Sequence, residues 1–175
     1  MALTFVRADL TQHRDILMRF NIDYGRWVGE GVLERFGLVL EDLLGAPIPD
    51  YVAAMLGKLC DATPPVGIFY LVFDGDLAVG MGGLRQISEG ICEIKRIYVP
   101  KTSRGLSVGE STLERLMLDA RAFGYKAAVL DTGPFMQSAH RLYEAAGFVD
   151  IPPYLEAEVP LELRHDWRFM RCELG

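Results

Sequence analysis

Three cysteines and three histidines are all that this chain of 175 residues offers a disulfide or a soft metal. Cys60, Cys92 and Cys172 are odd in number, lie far apart and form no C-x-x-C. They read as free or buried thiols of a reducing compartment. His13, His140 and His165 do not cluster, so no metal site is expected. Excess positive charge is missing too: the net charge of −6 argues against nucleic acid as a partner. The longest uncharged stretch near the middle, Ala62 to Phe73, is short and carries Pro64 and Pro65, so no segment is expected to span a membrane. Arg7 and Asp9 fall where a secretory leader would need an apolar core, and a cytoplasmic protein is the expectation. Neither G-x-x-x-x-G-K-[ST] nor a G-x-G-x-x-G following a strand marks a nucleotide site.

What is present is an ordinary globular composition, 50% hydrophobic and 24% charged, without repeats or linkers. A single domain over 1–175 is expected, large enough to bury roughly two thirds of its unfolded surface. Leu3 to Arg7 reads as a first strand, and Asp9 or Thr11 can cap a helix carrying Ile16, Leu17, Phe20, Tyr24, Trp27 and Val28. Gly25, Gly29 and Gly31 predict a break, after which a second helix carries Val32, Phe36, Val39, Leu40 and Leu43. Pro47 and Pro49 interrupt it, and Val52, Met55, Leu56 and Leu59 mark a third. Gly67 to Phe73, an Asp74-Gly75 turn and Leu77 to Arg85 form a hairpin, with Gly80, Gly82 and Gly83 signalling a bulge or a close neighbour.

The central stretch is Glu93 to Gly109. Its alternating first half, Glu93 to Val99, is a half-buried strand that Pro100 ends. Arg104-Gly105-Leu106-Ser107-Val108-Gly109 then turns into a helix ending near Gly124. Such a turn aims unpaired N–H groups and a helix dipole outward and suits a pyrophosphate, with Lys95, Arg96, Lys101 and Arg104 adding charge. Taken alone, it is equally an ordinary strand–turn–helix connection. Ala127 to Leu130 follows as a short strand, and the crossover makes it parallel to the central one. Pro134 suits the first turn of a helix over Met136 to Ala146, capped by Gly147. Phe148 opens another strand, and Arg168 to Leu174 closes the sheet as an edge.

These pieces resemble the GCN5-related N-acetyltransferase (GNAT) superfamily. Arg104 to Gly109 is similar to its Q/R-x-x-G-x-G/A coenzyme A loop, with Ser107 at the middle glycine. Ala139 to Phe148 is similar to its A-x-x-L-Y-x-x-x-G-F helix, with Met136 where many members carry asparagine. The resemblance implies an α/β (α+β) fold with flanking helices and a mixed, mostly antiparallel sheet of about six to seven strands, its central parallel pair splayed. It implies direct acetyl transfer from acetyl-CoA to an amine. The cofactor would lie on Ile97, Tyr98, Val99, Arg104, Gly105, Leu106, Ser107, Val108 and Gly109. Tyr143 would be the acid for the departing thiolate, and Glu93 the general base or only a structural bridge. Tyr24, Trp27 and Tyr154, with Trp167, would wall a small-molecule acceptor site, or simply belong to the core.

The segments at 20–50 and 150–166, which grip the acceptor in relatives, hold eleven Asp and Glu against three Arg, a net of −8. An acidic acceptor side would draw a cationic amine, although a solvated acidic face explains the same bias. A protein or peptide amine remains an alternative acceptor, and a non-catalytic acyl-CoA-binding module an alternative function. A homodimer paired through Arg168 to Leu174 is compatible with the resemblance.

Overall fold

A computed structural model describes residues 2–175. Strand β1 (Leu3–Arg7) leads into α1 (Leu10–Phe36), α2 (Leu40–Leu44) and α3 (Ile48–Asp61). A meander follows, β2 (Gly67–Asp74), β3 (Leu77–Ser88) and β4 (Ile91–Tyr98). Helix α4 (Val108–Ala122), β5 (Ala127–Thr132), α5 (Gln137–Ala145), β6 (Val149–Ile151) and β7 (Arg168–Glu173) complete the chain. The described residues form one seven-stranded sheet in the order β1-β2-β3-β4-β5-β7-β6. Every pairing is antiparallel except β4 with β5. Strand β7 therefore lies inside the sheet, and the short β6 forms the edge. The pairing of Arg168 to Leu174 across a dimer, expected from the sequence, has no free edge to use along the part that β6 covers.

Both faces of the sheet are buried, which is why Gly67 to Phe73 reads as one continuous apolar run. Ile68, Tyr70 and Leu84 face α4 and α5, packing with Leu113, Leu116, Met117 and Tyr143. Phe69, Leu71 and Met81 face the opposite way, onto Leu17, Phe20, Val52 and Leu56 of α1 and α3. Alternation along the strand thus serves two cores at once.

The expected break in the first helix is absent. Asp9 caps α1 by accepting from the N–H groups of Thr11 and Gln12 at 2.8 and 3.0 Å. The helix then runs unbroken to Gly37, whose φ of 68° closes it. Val32 and Phe36 belong to α1, while Leu40 and Leu43 form a separate short helix. The internal glycines give room to neighbours rather than flexibility. A Cβ on Gly25 would lie 2.9 Å from Ile48, and one on Gly31 2.5 Å from the Phe135 ring. Pro47 and Pro49 begin α3 instead of interrupting a helix, because the first-turn N–H groups have no intrahelical partner to lose. Pro134 sits in the turn before α5, outside its first turn.

This packing predicts that Gly31→Ala destabilises the protein even though alanine is the better helix former. Overpacking typically costs about 1–3 kcal/mol, more than the ~1 kcal/mol that helix propensity returns. Urea unfolding measures the difference; a stabilised variant would mean that the ring of Phe135 moves aside freely.

Parallel pairing between β4 and β5 is confined to Ile91, Cys92 and Glu93 against Ala127, Ala128 and Val129. Beyond Glu93 the strands part. The β3–β4 register shifts between Met81 and Gly83, opposite Arg96, which takes a left-handed φ of 56°. This bulge bends β4 away from β5, leaving the end of β4 without a ladder partner on the β5 side.

Candidate active site

The opened strands form a cleft of about 730 Å³. Ile97, Tyr98 and Val99 make one wall, Met136, Ala139, Leu142 and Tyr143 another, and Arg104, Gly105, Ser107, Val108 and Gly109 the end. Gly105 at φ 81° and Ser107 at φ 54° turn the backbone sharply and deliver the N-terminus of α4 to this wall. Serine holds there a conformation that costs an L-residue about 1–2 kcal/mol, so the turn keeps its shape without the glycine. Orphan N–H groups and the positive end of the helix dipole thus meet the cleft. Arg104 reaches across it to within 5.9 Å of the Trp27 ring centroid on α1. Leu106 stays out: its side chain is exposed and does not line the cleft.

A second, narrower chamber of about 170 Å³ lies between α1, α2, α3 and the bent end of β4. It shares Trp27, Ile97, Met136, Ala139 and Tyr143 with the cleft, so the two spaces meet at these side chains. Tyr143 is buried, and its ring packs beside Phe148 at a centroid distance of 6.0 Å. Burial, with the nearby Tyr24 hydroxyl and Asp131 charge, holds its phenol well above the usual tyrosine range. It is therefore a proton donor at neutral pH. Tyr24 stands edge-on to Trp27 and Tyr98, and burial pushes its hydroxyl up to about 12, with Asp131 adding to the shift and Arg96 opposing it.

Two carboxylates of the chamber differ sharply. Glu93 is almost fully buried and committed to its neighbours. Arg85 Nε donates to its Oε1 at 3.0 Å, the Tyr154 hydroxyl donates to its Oε2 at 2.9 Å, and Lys95 Nζ lies 3.6 Å away. Glu158 extends this network, accepting from Lys95 at 2.8 Å, Arg85 at 3.1 Å and Lys58 at 3.5 Å. Burial opposes its ionisation, but these cations outweigh that and bring its carboxyl down to about 2. Asp131, near the end of β5, makes no ion pair among the described residues; its one side-chain donor is Trp167 Nε1 at 2.8 Å. Burial raises its carboxyl to about 6, Glu93 and Glu158 adding to the rise while Trp167 and Lys95 oppose it.

The profile described as "Acetyltransferase (GNAT) family" matches residues 38–148, more than half of the sequence. The chain belongs to the GNAT acetyltransferase family. An uncharacterized N-acetyltransferase of Schizosaccharomyces pombe is 30% identical over 157 residues, covering 89% of this chain and 90% of the relative. Among solved structures, the PaiA N-acetyltransferase of Thermoplasma acidophilum in complex with coenzyme A aligns with a TM-score of 0.71 at 12% identity, covering 99% of each chain. YncA of Salmonella typhimurium with acetyl-CoA aligns at 0.60 and 17% identity, covering 100% of this chain and 95% of that one. At such identities these two speak for the fold.

Within this GNAT domain, the residues expected from the sequence are brought together unevenly. Ile97, Tyr98, Val99, Arg104, Gly105, Ser107, Val108, Gly109, Trp27 and Tyr143 share the cleft, and Tyr24 and Glu93 line the chamber. Tyr154 lines neither; it packs on Phe169 and holds Glu93. Lys95 and Arg96 face the chamber instead of adding charge to the helix-opening loop. The acidic acceptor side does not materialise, because of the eleven acidic residues only Glu158 lines the chamber, and it is neutralised. Asp131 escaped the sequence reading. Its signal was a lone charge at the end of the apolar strand Ala127 to Leu130, but the sequence gives no hint that β5 ends beside Tyr143.

Proposed function

We propose that this N-acetyltransferase moves the acetyl group of acetyl-CoA to the amine of a small acceptor held in the 170 Å³ chamber. The observation that carries the reading is the meeting of cleft and chamber at Tyr143, with Asp131 on the chamber side. When bound, acetyl-CoA supplies an activated thioester. The residues present fit it: the amide-rich opening of α4 suits its phosphates, and the unladdered end of β4 suits its amide-bearing arm. Gly109 leaves the space that the arm would need.

The roles follow from proton balance. The acceptor ammonium, with a reference pKa of about 10, must lose a proton before its nitrogen can attack. Asp131 takes that proton, being ionised at neutral pH yet basic enough to accept it. The new N–C bond would form as the C–S bond breaks, with the Ile97 backbone N–H steadying the carbonyl oxygen; Tyr143 would protonate the departing sulfur and recover its proton from the second one that the nitrogen sheds on becoming an amide, while Asp131 returns the first to solvent. Glu93, with its lone pairs committed to Arg85 and Tyr154, positions the chamber wall. The chamber's size favours a small acceptor over a peptide.

Acetyl-CoA-dependent thiol release against a panel of amines tests this, with calorimetry of acetyl-CoA binding alongside. Turnover with small amines is expected; turnover with peptides alone would overturn the acceptor assignment. Gly109→Trp provides a separate check on the cleft. A Cβ there meets only Val99 and Leu142, at 3.7 and 3.9 Å, so the fold should tolerate the change while the indole fills the cleft. Acetyl-CoA affinity should fall by about 100-fold or more, the equivalent of two lost charge-assisted hydrogen bonds, at nearly unchanged Tm. Unchanged affinity would remove the loop from the binding site.

A further inference from the structure

Ion pairing around the chamber leaves two charged side chains without a partner of opposite sign among the described residues. Glu93 and Glu158 are matched by Arg85, Lys95 and Lys58. Among the described residues Arg96 makes no ion pair, and neither does Asp131. The left-handed bulge in β4 turns Arg96 into the chamber wall. Its guanidinium spends one donor, Nη1 to Asn21 Oδ1 at 3.2 Å, and lies over the Tyr24 ring at 5.6 Å. Its Nε is buried with no partner at all. Asn21 cannot neutralise it; that side chain is itself fully buried and fixed by donating to Leu17 O at 2.9 Å.

A buried guanidinium with donors left over in a largely apolar pocket calls for a carboxylate, whose two oxygens match its planar fork. The unpaired carboxylate, Asp131, stands at the end that meets Tyr143 and the cleft, and calls for an ammonium. Tyr24, under the Arg96 guanidinium, lines the same chamber as Asp131. Arg96, Lys95, Tyr51 and Glu158 also line a neighbouring outer cavity of about 400 Å³, into which Lys58 and Arg85 project. An anionic group would enter past these cations. The remaining walls are apolar, mostly aliphatic side chains such as Val28, Leu40 and Leu163, with Trp27 and Trp167 among them. A volume near 170 Å³ is close to that of an engineered cavity of about 150 Å³ known to hold a benzene-sized molecule.

We propose that the acceptor is a small amino acid, a primary amine and a carboxylate on one compact and largely apolar frame, with the carboxylate on Arg96 and the amine at Asp131. The product is then the N-acetyl amino acid. This rests on the acetyl-transfer reading above and narrows its acceptor.

The test compares matched triads on the wild-type protein: each free amino acid, its amide or methyl ester, and the corresponding decarboxylated amine. The set should cover the protein amino acids together with β-alanine and γ-aminobutyrate. Free acids should exceed their amides and amines in kcat/KM by about 10- to 100-fold, mainly through KM, the size expected for one lost charged contact. Arg96→Gln should erase that preference while leaving the amides within about threefold, and Arg96→Lys should restore part of it. Equal rates for acids and amides would overturn the proposal, as would an Arg96→Gln loss shared by both. Thiol release with plain amines only, or acetyl-CoA binding in calorimetry with no amino acid turned over, would also overturn it, and both leave the acetyltransferase reading standing. Failure of acetyl-CoA to bind would instead remove that reading, and this inference with it.

Discussion

Tyr143→Phe is expected to lower kcat by about 10²- to 10⁴-fold, the usual worth of a positioned general acid, while acetyl-CoA binding stays within about twofold. The argument is structural as much as chemical. The ring is part of the core beside Phe148, and phenylalanine preserves that packing. Only the hydroxyl at the junction of cleft and chamber is lost. Because burial holds the phenol above its usual range, the wild-type pH–rate profile should show no alkaline limb from this group below about pH 10. Stopped-flow thiol release and calorimetry on both proteins decide the matter. Activity retained within threefold would show that the tyrosine is only a packed core residue.

Asp131→Asn should remove the acid limb of the profile and cost about 10²- to 10³-fold in kcat/KM at pH 7. In the wild type, activity should climb as pH rises through about 6, where the buried carboxyl ionises. The same substitution should stabilise the fold. An unfolded aspartate titrates near ~3.9, and the folded one at about 6, so between those values the folded state binds more protons. Stability therefore falls as pH rises across this window and remains lower above it. Asparagine removes that penalty, and Tm at pH 8 should rise by about 2–6 °C, with no gain below about pH 4. Loss of activity combined with gain of stability marks a group kept for chemistry. Glu93→Gln should behave oppositely, leaving the limb near pH 6 in place and weakening the fold by about 1–3 kcal/mol, because Arg85 and Lys95 lose a buried partner. If Glu93→Gln instead moved the limb and Asp131→Asn did not, the two roles would be exchanged.

The difference between these carboxylates shows where sequence reading stops. Glu93 is the carboxylate to which the family resemblance points, and a resemblance along a chain says nothing of what surrounds a side chain. Four cationic or hydroxyl groups from β3, β4, α3 and the segment after β6 converge on the Glu93–Glu158 pair, and none of them is its neighbour along the helix-opening loop. Asp131 became visible only once β5 was seen to end beside Trp167 and Tyr24. The acidic bias of 20–50 and 150–166 likewise lies, Glu158 apart, on residues that do not line the chamber.

Local signals, by contrast, were reliable. The Asp9 cap, the Asp74-Gly75 hairpin, the glycine and serine of the helix-opening loop and the parallel crossover into β5 were all legible, whereas the alternation expected of β4 is broken by the bulge at Arg96 and the burial of Glu93. The glycines of α1 misled because their purpose is to admit Ile48 and Phe135, which lie far along the chain. The order of the last strands misled in the same way, since whether β7 enters the sheet or edges it is a matter of pairing and not of propensity. The sequence by itself determined the number of strands and helices, the turn that opens α4 and the place of Tyr143 on α5. Only the tertiary structure decided which charges are cancelled and which, Arg96 and Asp131, make no ion pair among the described residues, because burial and pairing are set by residues that meet only after folding.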